Sequence, residues 1–265
     1  MDLGLHDRAC IVTGASRGIG RATATMLAAE GASLLLVGRR ADSLAPVAAA
    51  CADAGGRAEI AVLDVAAPEA GERLVRECVN RWGRLDVLVN SAGTIATRPL
   101  EELTDDDWQE QWELHVMAPM RLMRAAAALM ADRGWGRIVT VSSSSGKRPS
   151  QRNVAYAVSK AATLSLSRAF ADHYAGRGVL VNAITPGPIA TELWVGPGGL
   201  ADQTAQVQGL TREQVLASTA AGIPLGRLGR DQEVAAVIVF LCSEAASFVT
   251  GAAWSVDGGI VPVII

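Results

Sequence analysis

Lysine and tyrosine are rare in this chain of 265 residues. Only Lys147 and Lys160 among its 24 basic residues are lysines, and Tyr156 and Tyr174 are its two tyrosines. The formal net charge of −3 excludes the strongly basic surface by which proteins bind nucleic acid. We therefore expect no nucleic acid partner. The scarcity also makes one pair conspicuous, because a lysine follows a tyrosine by four positions at 156–160.

Long apolar runs are missing too. The run AAVIVFLC at 235–242 is far too short to cross a bilayer. The first ten residues, MDLGLHDRAC, have neither the pattern of a signal peptide nor a lipidation motif, so we expect a cytoplasmic protein without a membrane partner. The cysteines lack the spacing of a metal site or a disulfide framework, which predicts buried reduced thiols and no metal. They are Cys10, Cys51, Cys78 and Cys242.

Short β-branched or leucine-rich runs alternate along the chain with alanine-rich stretches of helical length. Strands with little polar alternation, joined by helices, are typical of a parallel sheet covered on both faces. Right-handed crossovers then build a doubly wound α/β sheet, with ligands at the carboxyl ends of its strands. Since no repeat or composition break interrupts the pattern, residues 1–265 are predicted to form one domain. The predicted strands are 10–14, 33–38, 58–64, 86–90, 137–142, 180–185 and one from 252, and the helical stretches include 18–30, 42–54, 68–81 and 105–131.

Residues 192–225 depart from this alternation. They contain GPGG at 196–199, a capping-box helix start at Thr211 with Gln214, and a stop at Pro224. Because this segment follows the sixth strand, at the carboxyl edge of the sheet, we expect a small lid over the ligand site. Its apolar residues LWV at 193–195 form either a wall of the substrate pocket or the core of the lid itself.

The first strand runs into a glycine-rich turn, TGASRGIG at 13–20, which opens a helix. Its three glycines allow a sharp turn, close approach to a pyrophosphate and tight packing of the helix on the sheet, and the helix N-terminus offers N–H groups to the phosphates. Between a strand and a helix the pattern indicates a dinucleotide site; the alternative is a tight turn alone. The candidate cofactor residues here are Gly14, Ser16, Arg17, Gly18, Ile19 and Gly20.

The end of the second strand indicates which dinucleotide binds. An acidic residue there would accept a hydrogen bond from the 2′-hydroxyl of NAD, whereas arginine favours the 2′-phosphate of NADP. The sequence is LVGRR, ending in Arg39 and Arg40, and Arg17 in the glycine turn adds positive charge. We therefore predict NADP(H), with NAD(H) as the alternative. Asp64, with Val65 beside it, either accepts a hydrogen bond from the adenine amino group or caps the third strand.

Further motifs follow in order. They are NSAG at 90–93, four serines at 142–145, YAVSK at 156–160, PGPIAT at 186–191 and VDGG at 256–259. Together with TGASRGIG, they resemble the short-chain dehydrogenase/reductase family over essentially the full length, and most of all its 3-oxoacyl-acyl-carrier-protein reductases. The resemblance implies a Rossmann-type fold with about seven strands, and NAD(P)-dependent hydride transfer between C=O and CH–OH groups.

Tyr156, Lys160 and Ser143 match the catalytic residues of this family. Carbonyl reduction needs a proton for the developing alkoxide, and tyrosine, whose ordinary pKa is about 10, gives up its proton more readily if a neighbouring cation stabilises the phenolate. Lys160, one helical turn on, places an ammonium on the same face, and by the resemblance it also binds the nicotinamide ribose. Arginine cannot lose a proton in a relay. Ser143, thirteen residues before Tyr156, matches the serine that orients the carbonyl.

The resemblance supplies further cofactor residues. Asn90 resembles the asparagine that ties the fourth strand to its neighbours, and Ser91 stands where the family more often has a second asparagine. Ile189 and Thr191 resemble the residues that hold the nicotinamide carboxamide. The candidates from these two motifs are Asn90, Ala92, Gly93, Pro186, Gly187, Ile189 and Thr191.

One position departs from the pattern of the family. The family usually has a fourth catalytic residue, an asparagine seven positions after a tryptophan, which is thought to hold a water of the proton relay. Counting from Trp108 gives His115. A histidine there either hydrogen-bonds the relay water and titrates near neutral pH, or packs at a helix interface with a purely structural role.

The substrate is less clearly indicated than the cofactor. Lys147, Arg148 and Arg152 follow Ser143 on one loop, and they either steer an acidic substrate or are simply solvated. By the resemblance, an acyl carrier protein is a candidate partner, because arginines at 133 and 177 lie near the positions that such reductases use for docking. Otherwise the substrate is a small carbonyl compound or alcohol.

Alternative functions remain, some of them enzymatic and one not. The same residues could oxidise a secondary alcohol, sugar or steroid, or reduce an imine or a quinone, whereas enoyl reductases look to have a longer spacing from tyrosine to lysine. A different class is a regulatory protein that binds NADP(H) without turnover. The resemblance also implies a homotetramer, and the apolar tail IVPVII at 260–265 would be exposed in a monomer.

Overall fold

The computed structural model describes residues 2–95 and 97–262. The last three residues of the apolar tail, 263–265, therefore lie outside the described part of the chain. Seven strands form one parallel sheet in the order β3-β2-β1-β4-β5-β6-β7. The predicted doubly wound α/β fold is confirmed. The strands are β1 Ala9–Thr13, β2 Ser33–Gly38, β3 Arg57–Val62, β4 Val87–Asn90, β5 Gly136–Val141, β6 Val179–Pro186 and β7 Ala253–Val256.

Helices cover both faces of the sheet. Each face carries its own buried apolar cluster, one against the helices at 18–29, 41–53 and 231–242 and the other against the helices at 70–82, 118–132 and 154–174. This explains why the central strands read as unbroken apolar runs. All four cysteines are buried and reduced. The helices are α1 Gly18–Ala29, α2 Ala41–Asp53, α3 Ala70–Trp82, α4 Asp105–Trp112, α5 Ala118–Asp132, α6 Ser144–Lys147, α7 Val154–Tyr174, α8 Glu192–Val195, α9 Leu200–Gln208, α10 Arg212–Ala221 and α11 Asp231–Cys242.

The stretch predicted as one helix over 105–131 is interrupted. A π-helical turn, Glu113–Met117, separates α4 from α5, and it contains His115. Pro119 has no N–H to donate to the carbonyl of His115, four residues earlier, and its ring crowds that carbonyl. The Thr163 hydroxyl, on α7, donates to the His115 carbonyl at 2.9 Å. Pro119, which the sequence pattern placed inside one continuous helix, thus marks an interruption of that helix beside the candidate site.

The chain order of the strands positions the ligand site. β1, β2 and β3 run outward in one direction, and the chain then returns to place β4 on the other side of β1. Such a reversal leaves a crevice at the carboxyl ends of β1 and β4. The segment predicted as a lid contains α8, α9 and α10 at this same edge, and the capping box of Thr211 and Gln214 is present at the start of α10. Within the described residues, no helix is long and apolar enough to span a membrane.

Candidate active site

A cleft of about 1040 Å³ lies at the carboxyl ends of the strands. It is lined by every cofactor-binding candidate from the sequence except Asn90, and also by Ser143, Tyr156 and Lys160. We call the part lined by residues 14–20 and 38–40 the cofactor end. We call the part lined by residues 143–145, 148–150, 152 and 153 and by the lid the substrate end. Asn90 and His115 lie behind the cleft wall, so any role they have acts through neighbouring residues.

The backbone shapes the cofactor end. Gly14 has φ +64°, a left-handed conformation that favours glycine, and a Cβ there would lie 2.8 Å from the Cα of Ala92. A Cβ on Gly20 would lie 2.3 Å from the carbonyl oxygen of Gly14. The glycines therefore let the turn pack against α1 and against the loop after β4, which leaves the N-terminus of α1 facing the cleft.

Thr13, which the sequence did not single out, holds these two segments together. Its buried hydroxyl accepts hydrogen bonds from the backbone N–H groups of Ser91 and Ala92, at 3.0 and 3.1 Å, and donates to the carbonyl of Val89 at 3.4 Å. In the sequence, the feature that could have identified Thr13 is its hydroxyl at the end of an otherwise apolar strand. It aligns the ends of β1 and β4, where the crevice opens.

Among the residues that the structure describes, the arginines at the cofactor end have no counter-ion. Within residues 2–95 and 97–262, the side chains of Arg17, Arg39 and Arg40 form no ion pair and no hydrogen bond. Asp64, at the same end, accepts the backbone N–H of Ala66 at 3.0 Å, which fits the capping alternative and leaves its second oxygen available. The three guanidiniums outnumber the Asp64 carboxylate, so the cofactor end carries an excess of positive charge.

The serines that follow β5 have different contacts and different roles. Ser142 donates to the carbonyl of Lys160 at 2.8 Å and is buried, so it ties β5 to α7. Ser143 caps α6 by accepting the N–H of Ser145 at 3.0 Å, and it lines the cleft. Burial raises the pKa of Tyr156 and the Ser143 hydroxyl, as its hydrogen-bond partner, lowers it. Of the four serines, Ser143 is thus the one that lowers the pKa of Tyr156.

Lys160 lies next to Tyr156 in a buried position. Its Nζ donates to the carbonyl of Val141 at 2.9 Å and lies 5.6 Å from the centre of the Tyr156 ring. Burial lowers the pKa of Lys160 to about 7, because the apolar surroundings disfavour the charged form. A lysine with this pKa exchanges protons near neutral pH, which arginine cannot do.

His115 is buried beneath the cleft, 1% exposed, and both ring nitrogens have partners. Nε2 accepts the backbone N–H of Thr94 at 3.3 Å, and Nδ1 lies 3.0 Å from the hydroxyl of Ser159. That hydroxyl in turn donates to the carbonyl of Tyr156 at 2.7 Å. The ring also packs edge-on against the ring of Tyr156, with centroids 5.3 Å apart. Burial, and then the nearby charge of Lys160, hold the pKa of His115 well below its usual value.

These contacts define one tautomer of His115. Because Nε2 accepts from a backbone N–H, it carries no proton, and Nδ1 must therefore be the N–H that donates to the Ser159 hydroxyl. The neutral ring links the loop after β4 to α7 and to the backbone of Tyr156. Ser159 was not singled out in the sequence, although it immediately precedes Lys160 within YAVSK.

Two other predictions can be compared with the geometry. Asn90 donates through Nδ2 to the Thr140 hydroxyl at 3.3 Å, which ties β4 to β5, while its buried Oδ1 has no partner within the described residues. Lys147, one of the three basic residues suggested either to steer an acidic substrate or to be solvated, is held by hydrogen bonds to another strand. Its ammonium donates to the carbonyl of Ala253 at 2.7 Å and to the hydroxyl of Ser255 at 3.1 Å, so it anchors the loop to β7 outside the cleft.

Comparison with known proteins shows the family of the chain. A family model described as enoyl-(acyl carrier protein) reductase matches residues 14–261, which is nearly the whole chain. A 3-oxoacyl-[acyl-carrier-protein] reductase from Thermotoga maritima is 33% identical over 97% of this chain and 99% of its own length. The chain belongs to the short-chain dehydrogenase/reductase family. The prediction of an NAD(P)-dependent oxidoreductase acting on CH–OH or C=O groups is confirmed.

Two further members of the family are similar over their full length. The cis-4-hydroxycyclohexanecarboxylate dehydrogenase from Sinomonas cyclohexanicum is 39% identical over 96% of both chains. The crystal structure of L-sorbose reductase from Gluconobacter frateurii, in complex with NADPH and L-sorbose, superposes with a TM-score of 0.93 at 36% identity and full coverage of both chains. These names cover a 3-oxoacyl reductase, a hydroxycyclohexanecarboxylate dehydrogenase and a sugar reductase, so family membership alone leaves the substrate open.

Proposed function

We propose that this protein catalyses the NADPH-dependent reduction of a ketone to a secondary alcohol, and the reverse oxidation. One observation supports this more than any other. Ser143, Tyr156 and Lys160 line the same cleft as the glycine turn, so a proton donor and a hydride source can act on one carbonyl group. The related L-sorbose reductase, whose structure holds NADPH and a sugar substrate, supports the same assignment.

The residues of the cofactor end fit NADPH. The tight packing of Gly14 and Gly20 leaves the N-terminus of α1 facing the cleft, where N–H groups and the helix dipole favour the pyrophosphate. Arg39 and Arg40, which have no counter-ion within residues 2–95 and 97–262, favour the additional 2′-phosphate. NAD(H), which lacks this phosphate, would leave both guanidiniums unpaired.

The side chains divide the proton chemistry among them. A bound nicotinamide supplies the hydride to the carbonyl carbon. Tyr156 donates its hydroxyl proton to the carbonyl oxygen as the C=O π bond breaks, and Ser143 donates a hydrogen bond to the same oxygen. The raised pKa of Tyr156 keeps the phenol protonated before reaction. Lys160, with a pKa of about 7, can return a proton to the phenolate that forms.

His115 then acts as a positioning residue. Its ring has neither nitrogen free for a relay water, because Thr94 and Ser159 occupy both. It fixes Tyr156 instead, through ring packing and through the Ser159 hydroxyl. This role replaces the relay function considered from the sequence.

A panel of carbonyl substrates, followed by the absorbance of NADPH, tests the proposal. It contains ketones, keto sugars, a steroid ketone, an imine, a quinone, 3-oxoacyl thioesters and an enoyl thioester. We expect turnover of ketones and no turnover of the enoyl thioester, since Lys160 follows Tyr156 by four positions and the enoyl reductases look to have a longer spacing. Exclusive turnover of the enoyl thioester would contradict the proposal, and tight NADPH binding without any turnover would favour a regulatory protein.

A carrier protein is a candidate partner, as is a second copy of the chain. The arginines proposed for docking already have partners within the chain: Arg177 pairs with Asp132 at 2.9 Å, and Arg133 donates to the carbonyl of Gly83 at 2.6 Å.

We also propose a homotetramer, supported by the fully exposed ring of Phe248 and the partly exposed ring of Trp254. Light scattering tests the oligomer, and kinetics with carrier-bound against free thioesters test the partner. Cytoplasmic location remains a prediction.

A further inference from the structure

Most arginines of this chain are paired, and the exceptions are concentrated in the cleft. Eight arginine side chains have no ion pair, hydrogen bond or ring contact within residues 2–95 and 97–262. Five of these eight line the cleft. The eight are Arg17, Arg39, Arg40, Arg73, Arg76, Arg124, Arg148 and Arg152. The proposed 2′-phosphate accounts for the first three, which lie at the cofactor end, but not for Arg148 and Arg152, which line the substrate end.

Hydrogen bonds hold the backbone of the loop that carries these two side chains. The helix α6 ends at Lys147, whose ammonium is hydrogen-bonded to β7. The chain therefore leaves the helix at Arg148, whose N–H donates to the carbonyl of Ser144 at 2.9 Å. The carbonyl of Arg152 accepts the N–H of Arg98 at 3.1 Å. Arg148 lies five residues after Ser143, and Arg152 lies four residues before Tyr156. Both side chains are exposed and line the cleft, close in the chain to the residues proposed to bind the reacting carbonyl.

Acidic residues do not neutralise this part of the cleft. Of the carboxylates that line it, Glu113 is paired with Arg121 at 3.0 Å, and Glu192 is paired with Arg21 at 3.2 Å. Glu110 lines the substrate end without an ion pair in the described part of the chain, and it offsets one of the two positive charges. An excess of positive charge remains at the substrate end.

We propose that Arg148 and Arg152 bind a carboxylate on the substrate, so that the enzyme acts on small keto acids and the corresponding hydroxy acids. This rests on the proposed carbonyl reduction. A guanidinium binds a carboxylate through two parallel hydrogen bonds, which would fix the acid at one end while the carbonyl lies between Ser143 and Tyr156. Leu193, Trp194 and Leu200 of the lid line the cleft as well and provide apolar surface for the carbon chain between the two groups.

Matched pairs of substrates test the proposal with the complete enzyme and NADPH. The pairs are 4-oxopentanoate, 5-oxohexanoate and 6-oxoheptanoate, each against its neutral primary amide. For the best chain length we expect kcat/KM for the acid to exceed that for the amide by at least about tenfold, as for a charged hydrogen bond. The ratio should fall toward one in the double variant Arg148→Gln, Arg152→Gln. Arg124→Gln, which removes an exposed unpaired arginine from α5 outside the cleft, should leave it unchanged.

The outcomes separate this proposal from the proposed function. Turnover of the amides by the double variant, with NADPH binding retained by fluorescence, shows that the fold and hydride transfer are intact. Under that condition, an unchanged acid-to-amide ratio overturns the carboxylate site. A wild-type ratio near one also overturns it, as does a preference for a phosphate-bearing acyl thioester that the same variant abolishes. If the wild type turns over neither acids nor amides nor any other ketone, the proposed function fails first.

Discussion

The two ends of the cleft are built by different parts of the chain. At the cofactor end the backbone makes the site, because Gly14 and Gly20 bring main-chain atoms together where a Cβ would collide. At the substrate end side chains make it, on short helices and on the loop that carries Arg148 and Arg152. A site made by backbone depends on a few glycines at fixed spacing, whereas a site made by side chains can change without disturbing the fold.

Tyr156 lies where the two ends meet, and its removal should have the largest effect. We expect Tyr156→Phe to lower kcat by about 10²- to 10⁴-fold, because the ring packing against His115 remains while the proton donor is lost. The other tyrosine gives a matched control. Tyr174 ends α7 and stacks on Phe170 away from the cleft, so Tyr174→Phe should retain normal turnover. Steady-state kinetics decide, and near-normal activity of Tyr156→Phe would refute the mechanism.

Gly20→Ala tests whether backbone contact really makes the cofactor end. The new methyl group would lie 2.3 Å from the carbonyl oxygen of Gly14, and only a backbone movement can relieve this. Overpacking typically lowers the free energy of unfolding by about 1–3 kcal/mol, and we expect a value near the upper end of this range. We also expect weaker NADPH binding. Gly222→Ala is the control, since its Cβ would meet its nearest neighbour, Thr219, at an ordinary 3.5 Å.

Thermal unfolding and NADPH fluorescence titration measure both effects. If Gly20→Ala matches the control in stability and affinity, then the close approach of the glycine turn does not matter. The contrast between backbone-made and side-chain-made ends would then have no energetic basis.

The same contrast explains what the sequence could predict. The strands were placed to within about two residues, because runs buried on both faces are almost purely apolar. The glycine turn was found because its spacing is dictated by backbone contact. By comparison, the direction of a side chain leaves no pattern: nothing in the loop distinguished Lys147, which binds β7, from Arg148, which lines the cleft. The π-helical turn was missed because its cause, Pro119, fits the first turn of a helix equally well.

Charge at the cofactor end should decide between NADPH and NADH. The double variant Arg39→Ser, Arg40→Ser removes two guanidiniums that have no protein partner in residues 2–95 and 97–262, so its effect should fall on the cofactor. We expect the NADPH-to-NADH ratio of kcat/KM to fall by about tenfold or more, mainly through KM for NADPH. Arg73→Ser with Arg76→Ser, two exposed arginines of α3 outside the cleft, is the matched control. A wild-type preference for NADH would reverse the assignment.

His115 should give the smallest and most selective effect, because it acts only through Tyr156. His115→Ala removes the link from Thr94 to Ser159 and should lower kcat by about tenfold with KM little changed, as expected for the loss of one or two hydrogen bonds. His115→Asn, which keeps a hydrogen-bonding side chain at this position, should recover part of the loss. A variant with unchanged kcat would make His115 a packing residue only.

The pH profile separates positioning from proton relay. A cation with a lowered pKa is charged below that pKa and neutral above it, so Lys160 predicts that reduction slows as the pH rises through about 7. His115, whose pKa is held well below its usual value, stays neutral across this range and contributes no second step. The midpoint should therefore be the same in His115→Ala as in the wild type, at a lower plateau. If the midpoint moves with the histidine, His115 exchanges protons with Lys160 and belongs to the relay after all.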